Sequence, residues 1–254
     1  MKGWTAFAKK ELLEQLRGGK ILILFAVLFL FGMTSPLLAK LTPQLLKSLS
    51  LSGVTIILPK ATAADAWAQF FKNVSQMGVI VLILIFGMSL PQEIARGTLL
   101  IPLSKGLSRS SVLLAKYLTA LLDWTVGYGL AACVCCGYTL YLFGRFALPH
   151  LFFALFCLWL FGAFLLALLL CAGVAVPGNY GGLMLAALAL GVLLALDAFP
   201  RLQKWDPASL AAQSASVLAA SADLSALWGA VWAAAAGSLF FLLLAGALFH
   251  KRSL

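Results

Sequence analysis

Residues 91–116 read PQEIARGTLLIPLSKGLSRSSVLLAK and lie between two runs apolar enough to cross a lipid bilayer. Five charged residues are interspersed among the leucines and isoleucines of this segment: Glu93, Arg96, Lys105, Arg109 and Lys116. Such a mixture suits neither hydrocarbon nor bulk water, so it predicts an element at the membrane interface, against headgroups or another protein. A membrane protein that keeps a semi-apolar element between two spans is expected to dock a soluble partner there.

The composition of the chain is that of a protein solvated by lipid. Hydrophobic residues make up 63% of the 254 residues and charged residues only 10%, whereas a soluble domain carries about a quarter charged side chains. The net charge is +10. In a membrane protein, lysine and arginine set the orientation and attract anionic headgroups. Membrane lipids are therefore expected partners, and nucleic acid is not.

Six stretches are long and apolar enough to cross roughly 30 Å of hydrocarbon. They cover residues 21–39, 74–90, 117–143, 151–176, 180–199 and 226–249. Residues 1–20 have apolar side chains at helical spacing with basic residues opposite, which predicts an amphipathic helix on the inner membrane surface. The predicted fold is an all-α integral membrane protein, a single domain over residues 1–254 with six transmembrane helices.

The orientation follows from the distribution of lysine and arginine between the two faces. With the N-terminus inside, eleven of these residues lie on the inner face and seven on the outer face. Because cytoplasmic loops are enriched in positive charge, we expect both termini to be cytoplasmic. Residues 91–116 then lie on the cytoplasmic side.

Three short helices are predicted on the outer side. Thr42 and Pro43 mark the start of the first, because proline favours the first helical turn. Thr62 and Asp65 have the spacing of a capping box and open the second, which carries Trp67, Phe70 and Phe71 along one side. A third is expected to begin at residues 206–207 and to continue through residue 218.

Residues 93–99, EIARGTL, residues 104–109, SKGLSR, and Lys116 together resemble the E-x-x-x-G-T-L…S-K-x-x-S-R…K signature of permease subunits in ABC-2 type ABC exporters. Lys9, Lys10 and Glu11 are similar to the K-K-E opening of the same subunits. The resemblance covers essentially the whole chain. It implies a cytoplasmic coupling helix between spans 2 and 3, a bacterial cytoplasmic membrane location, a cytoplasmic ABC ATPase partner and a second permease copy in a homo- or heterodimer.

The residues expected to couple to the ATPase are those that match the signature: Glu93, Arg96, Gly97, Thr98, Lys105 and Arg109. The chain has no Walker A sequence, so it is not expected to hydrolyse ATP itself. By the same resemblance, ATP and Mg²⁺ belong to the partner ATPase, and this chain is a transport subunit without a cofactor of its own.

Asp123, Trp124 and Tyr128 form a second group of candidate residues, on the third span. Asp123 is the one carboxylate expected within the hydrocarbon, and such residues are functional candidates by default. Alternatively, Lys116 reaches it from two turns away, about 10 Å along the helix axis, and the two form a structural pair. Trp124 and Tyr128 either line a substrate path, where they stack on an amphipathic cargo, or pack in the core.

Few charges lie in the spans, so an amphipathic or hydrophobic substrate fits best. Cysteines occur only inside apolar runs without histidine or carboxylate nearby, which makes a metal site improbable. A second reading is a sensor or immunity scaffold that binds a membrane-active peptide without transporting it. An intramembrane enzyme is the weakest reading, because His150 and His250 lie at span ends and no catalytic pair occurs within a span.

Overall fold

The computed structural model describes residues 2–49, 60–104, 106–176, 178, 180–197, 199, 201–219 and 224–251. The described part of the chain is helical and contains no strand. Its α-helices are α1 (Lys2–Arg17), α2 (Lys20–Leu49), α3 (Ala63–Asn73), α4 (Val79–Gly87), α5 (Ser89–Ala95), α6 (Leu100–Ser104), α7 (Arg109–Phe143), α8 (Leu151–Ala175), α9 (Gly181–Asp197), α10 (Ala208–Ala212) and α11 (Trp228–Lys251).

Five helical stretches of the described chain are long and apolar enough to cross a membrane. They are Lys20–Pro43, Ala63–Ile94, Arg109–Phe143, Leu151–Ala175 and Leu224–Lys251. The multi-pass, all-α architecture is thus confirmed. The remaining predicted span, residues 180–199, corresponds to α9, whose 17 residues extend about 25 Å. Because that length is at the lower limit for a span, the sixth crossing stays a prediction.

The prediction of a separate helix starting at Pro43 is wrong, because α2 continues through both Pro36 and Pro43. Each proline removes one backbone donor, and a neighbouring hydroxyl group can bond a carbonyl of the affected turn. Here Ser35, directly before Pro36, donates to the Phe31 carbonyl at 2.6 Å. Thr42, directly before Pro43, donates to the Leu38 carbonyl at 2.6 Å.

The predicted capping box at the start of α3 is confirmed. The Thr62 amide donates to Asp65 Oδ2 at 2.8 Å, and the Asp65 amide donates to Thr62 Oγ1 at 3.4 Å. Trp67, Phe70 and Phe71 are fully buried on one side of the helix. A π-helical turn over residues 74–78 joins α3 to α4. The second span therefore belongs to a longer helical stretch than the predicted 74–90.

Helix α8 forms the centre of the bundle, with most of its residues buried. α2 packs along α7, α11 packs along α8, and α1 packs across the beginning of α7. Near the other end of the bundle, α10 and a short 3₁₀ turn over residues 216–218 replace the single helix expected after Asp206. These contacts place α1, α5 and the beginning of α7 side by side at one end of the bundle.

Candidate functional site

Segment 91–116 folds as two short helices and a turn, followed by the capped beginning of α7. Gly97 lies two residues after the end of α5, and Gly106 two residues after the end of α6. Their φ angles are 69° and 85°, in the left-handed region that glycine adopts without strain. Leu99 is buried and anchors the chain between these turns. Ser108 caps α7 by accepting a hydrogen bond from the Ser111 amide at 3.2 Å.

A buried ion cluster joins three elements at this end of the bundle. The Lys116 ammonium group, on α7, donates to Glu11 Oε2 of α1 at 2.7 Å and to Glu93 Oε1 of α5 at 2.6 Å. The side chains of Lys116, Glu11 and Glu93 are only 5%, 3% and 15% exposed. We call these three residues the Lys116 junction. A small space of about 30 Å³ lies beside Lys116, between Gln15, Leu90 and Tyr117.

Lys10 continues the charge network from the junction to the surface of α1. Its ammonium group lies 3.6 Å from Glu11 and 2.7 Å from Glu14. The hydrogen bond from Lys10 lowers the pKa of Glu14 below its ordinary value. Burial lowers the pKa of Lys10, but the hydrogen bond to Glu14 and the surrounding carboxylates outweigh it, so this pKa is raised. The charges on α1 therefore alternate in sign towards the buried Lys116.

Arg109 fixes the beginning of α7 to the end of α11. Its guanidinium group donates to the carbonyl oxygens of Phe249 at 2.6 Å and His250 at 3.2 Å. The same group lies 5.7 Å from the centroid of the Phe249 ring. The last carbonyls of a helix have no partner within the helix, and a nearby cation both binds them and interacts favourably with the helix dipole. Arg109 is therefore a side-chain cap for α11.

The predicted coupling residues fall into an inward and an outward group. Glu93 and Arg109 face other helices of the same chain. Arg96 and Thr98 are exposed, and the Thr98 hydroxyl group donates to the Glu93 carbonyl at 3.2 Å. Gly97 forms the turn between these groups, and Lys105 lies outside the described residues. Contact of any of them with an ATPase stays a prediction.

The interpretation that Asp123 pairs with Lys116 is wrong, because Glu11 and Glu93 bind the Lys116 ammonium group. Asp123 is 2% exposed, and its Oδ2 atom has no hydrogen-bond partner within the described residues. The sequence contains one indication of the actual partner of Lys116: Glu11 lies on the same face of the amphipathic helix α1 as Trp4 and Phe7. A carboxylate at an apolar position of such a helix needs a buried cation.

Trp124 and Tyr128 lie in the core of the subunit. Their rings stack on each other with centroids 5.1 Å apart. Trp124 Nε1 donates to the Trp159 carbonyl at 3.1 Å, and the Tyr128 hydroxyl group donates to the Leu155 carbonyl at 3.3 Å. Gly162 leaves room for the Trp124 ring, which a Cβ atom there would overlap. Of the two alternatives, the structure has the one in which Trp124 and Tyr128 pack in the core. A role in a substrate path stays a prediction.

Within the described residues, no three histidine, cysteine, aspartate or glutamate side chains are grouped closely enough to hold a metal ion. The Lys116 junction is an ion cluster between helices. It links the segment after the second span to α1, and Arg109 links the start of α7 to α11.

The model of the family described as ABC-2 family transporter protein matches residues 5–200. A comparison with curated proteins finds no significant match. The family match covers most of the chain and includes most of α1, segment 91–116 and all three residues of the Lys116 junction. The chain therefore belongs to the ABC-2 transporter family, and it is a multi-pass membrane permease of an ABC-type transporter.

Proposed function

We propose that this ABC-2 family permease is the membrane subunit of an exporter and that segment 91–116 receives movement from a separate ATPase subunit. The observation that carries the proposal is the Lys116 ammonium group, which Glu11 and Glu93 share. Through it, α5 is bound to α1 and α7 by charged groups buried from water.

A segment transmits rigid-body movement only if its two ends are fixed to the helices that must move. Glu93 fixes the first end through Lys116, and Arg109 fixes the second end through the carbonyls of α11. Breaking a buried ion pair by losing one partner costs about 3–5 kcal/mol, whereas an exposed pair contributes about 0–1 kcal/mol. The buried ion pairs of the junction are therefore harder to break than those of an exposed loop. A displacement of α5 and α6 by the ATPase then moves α1, α7 and α11 with them.

We assign the proposed coupling residues to two roles, according to whether they are exposed or face other helices of the chain. Arg96, Thr98 and Lys105 are proposed to contact the ATPase, since Arg96 and Thr98 are exposed and Lys105 is in the same signature. Glu93 and Arg109 are positioning residues that hold the segment. Gly97 supplies the turn that presents the outward group. The partner ATPase binds ATP and Mg²⁺, and this chain contributes no catalytic group.

The remaining parts of the proposal concern cargo, assembly and location. The substrate is amphipathic or hydrophobic, because the described spans place few charges where a small ion could bind. The functional unit contains two permease copies and lies in a bacterial cytoplasmic membrane with both termini in the cytoplasm. Large apolar side chains on α11, among them Trp232, Leu239 and Leu243, are exposed in the single chain and face lipid or the second copy.

The test is co-purification of an ATPase with the tagged permease from native membranes. Arg96→Glu reverses an exposed charge of the outward group, and Lys60→Glu makes the same change at an exposed residue far from it. Losing a charged contact at a desolvated interface costs about 2–5 kcal/mol, so Arg96→Glu is expected to weaken association by roughly thirtyfold or more. Lys60→Glu is expected to leave it unchanged, and both variants should melt at the temperature of the unmodified chain.

Full ATPase binding and stimulated hydrolysis in the Arg96→Glu variant would remove segment 91–116 as the docking surface. Absence of any co-purifying ATPase from native membranes would contradict the exporter proposal as a whole.

A further inference from the structure

An apolar groove opens between α9 and α11 above α8. α9 packs against α8 and α4 and hardly touches α11. The space between them is about 550 Å³. Phe164 of α8 forms its floor, Ala189 and Leu193 of α9 form one wall, and Ala233 and Gly237 of α11 form the other. We call this space the α9–α11 groove.

Small side chains keep the groove open. Gly237 lies so close to α8 that a Cβ atom there would be 2.8 Å from Phe164 Cε2. Ala189 and Ala233 lie on opposite walls, and their methyl groups do not fill the space between them. Inside a membrane such a groove is filled by apolar chain, because an empty space forfeits the dispersion contacts of its lining atoms. The occupant is therefore an acyl chain or a helix of a second copy.

A carboxylate lies one turn beyond the groove lining on α9. Asp197 follows Leu193 by one turn and so lies on the groove face of α9. Its Oδ1 atom is buried and has no hydrogen-bond partner within the described residues. A buried acceptor left without a donor costs about 1–3 kcal/mol. One oxygen each of Glu11, Glu93, Asp123 and Asp206 is in the same state. Because the Asp197 side chain is only half-buried, a donor from outside the chain can approach this carboxylate.

Two cations stand at the same end of the groove. Arg201 and Lys204 are both exposed. The Lys204 carbonyl abuts Gly229 of α11, and Pro207 lines the groove, so the connection that carries these cations crosses over the mouth. Trp205 and Trp228 are largely exposed at this end, and exposed tryptophans mark the headgroup level of a membrane.

We propose that the α9–α11 groove binds one acyl chain of an aminophospholipid of the phosphatidylethanolamine type. The lipid phosphate lies against Arg201 and Lys204, and its primary ammonium group donates to Asp197. The occupant is identified by charge complementarity: an anion and a cation in one headgroup match the two cations and the half-buried Asp197 carboxylate. Asp206, the other carboxylate at this end, is buried and already accepts a hydrogen bond from the Ala208 amide. The proposal does not depend on the identity of the transported substrate or of the ATPase.

Other headgroups satisfy only part of this arrangement. A quaternary ammonium group, as in phosphatidylcholine, has no N–H to donate to Asp197. An anionic headgroup such as phosphatidylglycerol satisfies the two cations but offers Asp197 no cation. A helix of a second copy fills the apolar groove but does not by itself supply both a phosphate and an amine at the mouth.

The test uses the full chain in nanodiscs of phosphatidylethanolamine, phosphatidylcholine or phosphatidylglycerol with identical acyl chains. Melting temperature and the lipid retained in native mass spectrometry are measured for each. We expect the highest melting temperature and a retained lipid in phosphatidylethanolamine. Asp197→Asn is expected to lower occupancy of that lipid about tenfold, because the amide oxygen still accepts but without the charge that strengthens the bond to the ammonium group. Melting in phosphatidylcholine should stay unchanged.

A matched pair on α11 tests the groove itself. Ala233→Leu fills it, whereas Ala235→Leu adds the same atoms at an exposed position outside it. Loss of the lipid preference in Ala233→Leu alone supports the proposal. Equal behaviour in the three lipids, or a preference retained by Ala233→Leu, overturns it. A shift of Ala233→Leu from dimer to monomer with retained lipid unchanged would assign the groove to a second copy and overturn it as well.

Discussion

The Lys116 junction and the mouth of the α9–α11 groove differ in how their buried carboxylates are paired. Both contain buried carboxylate oxygens. At the junction, Glu11 Oε2 and Glu93 Oε1 bind a cation of the same chain, while Glu11 Oε1 and Glu93 Oε2 have no hydrogen-bond partner in the described part of the chain. Asp197 pairs with no cation of the described residues, and its Oδ1 atom has no hydrogen-bond partner there. The difference separates a cluster held by ion pairs within the subunit, which is proposed to transmit movement, from a carboxylate whose cation is proposed to come from a lipid.

The sharpest way to break this comparison is to remove the cation of the junction. Lys116→Met leaves two buried carboxylates without their partner, which we expect to lower the free energy of unfolding by about 3–5 kcal/mol. Reversible unfolding in mixed micelles measures it. Lys9→Met, at an exposed position of α1, is the control and should have no effect.

A combined variant distinguishes stability from mechanism at the junction. Lys116→Met together with Glu11→Gln and Glu93→Gln removes the charges as a group, and such replacements are often close to neutral for stability. We expect the triple variant to recover most of the lost stability but not ATPase-coupled transport. Recovery of transport along with stability would show that the ionic link is not needed for transmission.

The second largest effect is expected at Arg109, which extends the junction to α11. Arg109→Leu removes hydrogen bonds from a charged group to the carbonyls of Phe249 and His250, each of the kind that contributes about 1.5–3 kcal/mol. Faster hydrogen exchange of the last turn of α11 should accompany the lower stability. Arg96→Leu is the matched control. Faster exchange of the last turn of α11 in that variant would show that the effect is not specific to the cap.

Some of this architecture could be predicted from local sequence, and some could not. The capping box of Thr62 and Asp65 is local, because both partners lie within one turn. The pairing of Lys116, in contrast, is not local. Along α7 the nearest carboxylate is Asp123, yet the actual partners come from α1 and α5, and only tertiary packing brings them together.

The continuation of α2 through Pro43 shows another limit of local reasoning. Proline at a first turn is a sound start signal for an isolated helix. In an apolar span, however, the Ser35 and Thr42 hydroxyl groups bond nearby carbonyls, and the helix continues. Trp124 and Tyr128 show the same dependence on context, since helical spacing alone does not distinguish a path from a core and the open surface at Gly162 becomes visible only once α8 is in place.

Asp123 gives a smaller test of the comparison, because it is a buried carboxylate that resembles Asp197 more than Glu93. With one oxygen unpartnered, Asp123→Asn removes the charge at no loss of an ion pair. We expect the free energy of unfolding to stay level or rise by about 1 kcal/mol. A clear loss of stability would reveal a partner for Asp123, and lost transport with intact stability would assign it a role in the substrate path.

The smallest expected effect concerns Asp206, beside the mouth of the groove. Burial raises the pKa of Asp206, the hydrogen bond from the Ala208 amide lowers it, and the charge of Asp197 raises it further. A raised carboxyl pKa means that the folded chain holds this proton more tightly than the unfolded chain. The contribution is therefore most favourable below pH 3.8, the ordinary value, and declines as the pH rises through the raised pKa.

Asp206→Asn keeps an oxygen acceptor for the Ala208 amide and removes the titration, so melting between pH 4 and pH 7 should depend less on pH than in the unmodified chain. Asp197→Asn should reduce the same pH dependence in part, because it removes the neighbouring charge. An amine headgroup bound at Asp197 should do likewise, so the pH dependence in phosphatidylethanolamine nanodiscs is expected to be weaker than in phosphatidylcholine. Identical pH profiles in the two lipids would mean that no amine reaches Asp197, and the contrast between the two ends of the subunit would then need another explanation.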